Sequence, residues 1–178
     1  MRIVEQDLTT VPLFERIQSA LPEFTLEIVT SDNMRKYQDV FYSNDEYYLL
    51  TQGRSAAEND IKETIEYGKD FDAVTVHSWG FSTDNEAIAF LSILEDYPDP
   101  DTIYIGLFLV DQKHKRKHIG SRIIEAVRDC AFEMDFKSFK LSVLQDNVSG
   151  VKFWKSLGFR EAGGTNRDGN LSMEYKQR

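Results

Sequence analysis

Four cations fall within five residues at Lys113, Lys115, Arg116 and Lys117, with His114 and His118 interleaved and Gly120-Ser121 immediately after them. The chemistry such a run offers is anion binding. An apolar stretch from Ile103 to Val110 ends just before it, and an amphipathic pattern starts at its far side. A loop between a strand and a helix N-terminus presents backbone N–H groups that have no intrahelical partner, and the helix dipole favours negative charge there. The net charge of −9 makes the run stand out: these four residues contribute +4, so the rest of the chain carries −13. One basic loop in an acidic protein suits a compact polyphosphate rather than DNA or RNA, which need a broad positive face. A solvated basic loop with no ligand is the alternative for a charge run, but it leaves the strand before and the glycine-opened helix after unexplained.

The elements that must position this loop are read from periodicity. Residues 1–22 read as an N-terminal extension with a short helix around Leu13 to Ala20, followed by a single domain over 23–178. Phe24 to Val29 alternates as a first strand. Ser31-Asp32-Asn33 offers an N-cap to a helix carrying Met34, Tyr37, Val40 and Phe41, and a second helix spans Ala56 to Tyr67. Strands at Ala73–Phe81 and Ala87–Leu94 flank a polar loop from Ser82 to Glu86. After the basic loop, Ile123, Val127, Ala131 and Met134 form one helical stripe with Ile124 and Cys130 beside it. Phe139 to Val143 alternates again, Val148 to Leu157 is a short helix stopped by Gly158, and strands near Phe159–Ala162 and Leu171–Tyr175 bracket a glycine-rich hairpin. The order predicts an α/β fold built on a mixed sheet of about seven strands with flanking helices.

Two segments carry a family resemblance. Lys115-Arg116-Lys117-His118-Ile119-Gly120 is similar to the acyl-CoA motif Gln/Arg-x-x-Gly-x-Gly/Ala. Asn147, Gly150, Phe153, Trp154, Gly158 and Phe159 follow Asn-x-x-Ala-x-x-Phe-Tyr-x-x-x-Gly-Phe. Together, and in that order, they resemble the GNAT N-acetyltransferase superfamily, with the element order agreeing from about residue 24 to 175. The resemblance implies acetyl-CoA as co-substrate and transfer to an amine. It implies two parallel strands that splay so that the pantetheine arm lies between them, against the backbone of Phe108, Leu109 and Val110. It implies a pyrophosphate cradle from the N–H groups of Lys115, Arg116, Lys117, His118, Ile119, Gly120 and Ser121. Asn147 becomes a polar contact to the arm, and Phe153 and Trp154 become walls of the thioester end.

The chain departs from that pattern in ways that bear on chemistry. His118 replaces the first loop glycine, so a positive φ there carries a cost of about 1 kcal/mol. Trp154 replaces the tyrosine whose phenol protonates the departing thiolate, and an indole N–H cannot supply a proton near neutral pH. Tyr104 stands where one branch has a glutamate base, and a neutral phenol is a poor base; Glu95, with Asp96 and Tyr97, is the alternative. Trp154, Tyr104 and Glu95 are therefore the catalytic candidates. Asp45, Glu46, Tyr47 and Tyr48, with Asp39 near, favour a cationic acceptor, a small molecule or a peptide amine.

Composition limits the alternatives. One cysteine, Cys130, excludes an internal disulfide framework and reads as a packed thiol. Three histidines, two of them among cations, and no Cys or carboxylate cluster argue against a metal site. No run approaches the ~20 apolar residues of a membrane span, and Met1 to Asp7 lacks a signal-peptide core. A cytoplasmic monomer or homodimer that binds neither nucleic acid nor membrane is expected. A non-catalytic acyl-CoA-binding module is the second reading, motivated by Trp154 and Tyr104. A nucleotide binder of another kind is the third, though the chain lacks Gly-x-x-x-x-Gly-Lys-Ser/Thr and Gly-x-Gly-x-x-Gly.

Overall fold

Asp84 and Asn85 turn the chain with φ of 47° and 67°. Two consecutive positive angles give the two-residue hairpin whose twist matches its strands, so the polar loop expected over Ser82–Glu86 tightens to two residues between β2 (Thr75–Thr83) and β3 (Glu86–Glu95). The computed structural model describes residues 12–67 and 75–178; Ala73 and Val74, expected to begin β2, lie outside them. β1 (Thr25–Ile28) pairs with β2, and β3 pairs with β4 (Thr102–Val110), all antiparallel. β4 and β5 (Ser138–Leu144) are parallel, a pairing that needs a crossover, and α5 (Ile119–Phe132) supplies it. β7 (Asn170–Lys176) runs antiparallel to β5 and to β6 (Arg160–Thr165). The result is a seven-stranded mixed sheet ordered β1-β2-β3-β4-β5-β7-β6, as the periodicity predicted.

Each face of the sheet buries its own apolar cluster. α1 (Pro12–Ala20) and α5 cover one face, where Leu13 and Ile17 are fully buried in the same cluster as Trp79, Ile123 and Val127. That helix lies within the segment read as an N-terminal extension. Cys130 is buried on this face, and burial raises its thiol pKa. A 3-10 turn (Met34–Tyr37), α2 (Gln38–Ser43), α3 (Asp45–Gln52) and α4 (Asp60–Glu66) cap the other face around Tyr37, Phe41, Phe90 and Leu109.

This cap differs from the sequence expectation in three places. The helix expected after Ser31-Asp32-Asn33 divides into the 3-10 turn and α2, and Asn33 makes no side-chain cap bond, its Oδ1 accepting from Thr30 N–H instead. The helix expected over Ala56–Tyr67 starts only at Asp60, because Asp45 takes the Ala56 N–H (3.0 Å) and Asp60 takes the Ala57 N–H. α3 was not foreseen. It ends at Gly53, whose φ of 68° makes a left-handed C-cap that only glycine adopts without strain. Tyr37 lies flat on β2: a Cβ on Gly80 would stand 2.0 Å from its ring.

Candidate active site

The sheet splits where β4 meets β5. β4 stays paired with β3 as far as Val110, and β5 stays paired with β7 as far as Leu144. Between β4 and β5 the ladder stops at Ile105 and Leu141. At the same point β4 carries a bulge: Leu107 faces Ser92 and Ile105 faces Ile93, so Gly106 is the extra residue. A bulge bends the strand and shifts its alternation by one. Ile103 and Ile105 pack with the α5-side cluster before it, Phe108 and Val110 after it, while Leu107 and Leu109 turn to the opposite face.

The backbone follows the same logic. Asp111 N–H donates to the Ile88 carbonyl at 2.8 Å. In an antiparallel ladder neighbouring residues alternate edges, so the polar groups of Val110 and Phe108 point into the gap. The gap widens into a cleft of about 1260 Å³ lined by both strand ends, α3, the basic loop and α6 (Val148–Ser156).

The basic loop enters this cleft with unusual backbone angles. Asp111 caps a 3-10 turn (Gln112–His114) by accepting from Lys113 N–H at 2.9 Å. Arg116 and His118 then take φ of 61° and 57°, and His118 is the N-cap of α5 without a side-chain cap bond. A left-handed residue followed by a helical one aims successive N–H groups at one point. Those of His118, Ile119 and Gly120 therefore converge, and as the first turn they have no partner inside the helix. Gly120 supplies room: a Cβ there would lie 3.4 Å from Phe153 and Val110 and 3.5 Å from Phe108.

The cations of the loop separate. Lys113 lies 3.9 Å from Glu86, and His114 approaches the same carboxylate at 3.5 Å. Lys115 turns inward, its Nζ 2.6 Å from Asn44 Oδ1. Burial lowers its pKa below the usual lysine value, against an opposing pull from Glu46 and Asp111. Arg116 lines the cleft and Lys117 does not. Lys152 on α6 lines it too. The sequence reading passed over Lys152, although it is four residues beyond Val148 and one before Phe153 on the cleft-facing side of α6.

Asn147 caps α6, its Oδ1 accepting from Gly150 N–H at 3.0 Å and from Ser149 Oγ at 3.3 Å. Phe153 stacks on Phe108 at 6.2 Å, and Trp154 packs edge-on against Phe153 and Phe159 at 4.9 and 5.2 Å. Of the three catalytic candidates only Trp154 lines the cleft. Tyr104 lies before the bulge and donates to Ser142 Oγ at 3.1 Å. Glu95 ends β3 beside His77, at 3.1 Å. From the acidic segment, Glu46 and Tyr47 line the cleft, with Leu50 beside them. Burial raises the Tyr47 phenol above its usual range, against a hydrogen bond with Thr51 that lowers it. Asp45 is engaged by Ser55 and Ala56, and Tyr48 is buried in the cap. No helix among the described residues is long and apolar enough to cross a membrane.

Comparison with known proteins agrees with this geometry. The model of the acetyltransferase (GNAT) family matches residues 30–159. No curated protein matches the chain in sequence. Among solved structures, an acetyltransferase from Thermus thermophilus is similar with a TM-score of 0.71 at 16% identity, covering 86% of this chain and 97% of its own. The PaiA N-acetyltransferase of Thermoplasma acidophilum, solved in complex with coenzyme A, gives 0.59 at 12% identity, covering 86% and 99%. The ribosomal-protein-S18-alanine N-acetyltransferase of Escherichia coli gives 0.60 at 14% identity, covering 86% and 93%. At these identities the likeness is one of fold.

Proposed function

The chain belongs to the acetyltransferase (GNAT) family, and we propose that it moves an acetyl group from acetyl-CoA to a primary amine by direct attack on the thioester. The observation that carries this reading is the split between β4 and β5 beyond Ile105 and Leu141, which leaves a strand edge facing a cleft with convergent N–H donors at its mouth. Acetyl-CoA supplies an activated acyl group on a long amide-bearing arm ending in a pyrophosphate. That shape fits: the arm's amides match the gap-facing edge of Phe108 and Val110, and the pyrophosphate matches the N–H groups of His118, Ile119 and Gly120, with Arg116 and Lys152 beside them. Phe153 and Trp154 wall the acyl end.

Thioester aminolysis asks for a neutral amine, correct placement and a donor at the carbonyl oxygen. The gap-facing N–H of Val110 or Phe108 is that donor. The acceptor enters along α3, where Glu46 and Tyr47 favour a cationic amine. Trp154 holds the wall but gives no proton, so the proton shed by the attacking nitrogen passes through water to the departing thiolate. The same tryptophan motivates a second reading, a module that binds acyl-CoA without catalysis.

Titration with acetyl-CoA, combined with thiol release over a panel of amines, separates the two. Micromolar binding with CoA release on at least one cationic amine is expected. Binding without release on any amine would favour the second reading, and no binding would refute both.

A further inference from the structure

Asn44 occupies the junction of α2 and α3, where an N-cap would stand, yet its side chain makes no cap bond. It is 4% exposed. Its Nδ2 donates to the carbonyls of Val40 at 2.8 Å and Val110 at 2.9 Å, and its Oδ1 accepts from Lys115 Nζ at 2.6 Å. Carbonyls only accept and an ammonium only donates, so the carboxamide has one workable orientation. Next to it, Ser43 Oγ accepts from Gln112 N–H at 3.1 Å. The helix junction on one wall of the cleft thus grips the last residue of β4 and the loop that follows it.

Both polar groups of Val110 face the gap. A ligand arm lying along that edge can pair only with groups that are free. Among the described residues no side chain takes the N–H of Val110, and its carbonyl is taken by Asn44. We propose that Asn44 is a positioning residue that closes the free edge of β4 at Val110 and so sets the register in which an amide-bearing acyl-CoA arm pairs with the strand. Lys115 serves this arrangement by holding Asn44 Oδ1, and its amine is not a phosphate contact. The proposal rests on the acetyl-CoA reading above.

The test uses two probes on the full chain: CoA, and 3′-phosphoadenosine 5′-diphosphate, which keeps the phosphates and lacks the arm. In calorimetric titration, Asn44→Ala is expected to weaken CoA at least fivefold more than it weakens the armless nucleotide. Lys115→Met, which spares the Asn44–Val110 bond and disturbs less of the core, should show the same inequality in smaller degree. Lys115→Arg, still a donor to Oδ1, should restore most of the CoA affinity. Equal weakening of both probes by Lys115→Met would make Lys115 a phosphate contact and overturn the proposal. Equal weakening by Asn44→Ala, or none, would reduce Asn44 to a structural residue and overturn it as well. A wild-type chain that binds the armless nucleotide but not CoA would instead sink the acetyl-CoA reading on which the proposal stands.

Discussion

His118 sits at φ 57° and ψ 14°, a region that costs a residue with a Cβ about 1 kcal/mol or more. The cradle it shapes is made of backbone N–H groups, which glycine presents equally well. His118→Gly should therefore relieve the strain, raising Tm by about 2–4 °C in a chain of this length, with CoA affinity unchanged within twofold; a fall in Tm would show that the imidazole contributes more than the angle costs. Trp154→Tyr is the converse case, in which side-chain chemistry decides. A phenol keeps the aromatic contacts with Phe153 and Phe159 and adds a proton donor, so kcat should hold or rise. A large fall in kcat with unchanged acetyl-CoA binding would refute that. These residues were legible in the sequence because loop, cap and motif are local. Asn44 was not, since its partners Val110 and Lys115 lie 66 and 71 residues away, and no spacing along the chain announces such a bond.

Strands and helices with a one-sided burial pattern could be read directly. β5 and the stripe of α5 agree with their periodicity because each faces solvent or loop on one side. The bulge at Gly106 could not: one glycine inside an apolar run reads only as a weak point in a strand, whereas opposite Ser92 and Ile93 it redirects β4 and opens the cleft. α3 escaped for a different reason, its first turn being acidic and aromatic without a clear stripe. The cap that carries α3 depends on close packing at Gly80, beneath the Tyr37 ring. Tyr37 is fully buried and donates to Glu27, so it cannot swing away when a methyl group arrives 2.0 Å from its ring. Gly80→Ala should cost about 1–3 kcal/mol and lower Tm by several degrees in calorimetry. An unchanged Tm would mean that the cap slides over the sheet more easily than its burial implies.

For the molecule as a whole, the cap is also where acid should act first. Two carboxylates fasten it. Burial alone would raise Glu27, but hydrogen bonds from Lys36 and Tyr37 outweigh it and hold its pKa below the usual value. The bidentate Arg54 guanidinium likewise lowers Asp60, against burial and with help from the Ala57 N–H. A carboxyl whose folded pKa lies below its unfolded one stabilises the fold above the unfolded value, and that contribution disappears as pH falls through the folded value. The loss therefore begins near pH 4, where free carboxyls start to protonate, and continues below it. Both groups anchor the wall that bears Glu46, Tyr47 and Asn44. Acid should accordingly loosen the cleft together with the cap, while the β5–β7–β6 half, whose ladder to the rest of the sheet runs through only four residues of β4 and whose side chains pack in the other core cluster, keeps its own ladder. Glu27→Gln retains an acceptor for Tyr37 and Lys36 but removes the charge. It is expected to lower Tm at pH 7 and to shrink the further fall in Tm between pH 5 and pH 3, read by calorimetry on both proteins. If the variant loses as much between those pH values as the parent, Glu27 does not carry the acid sensitivity and the Asp60–Arg54 pair is left to account for it.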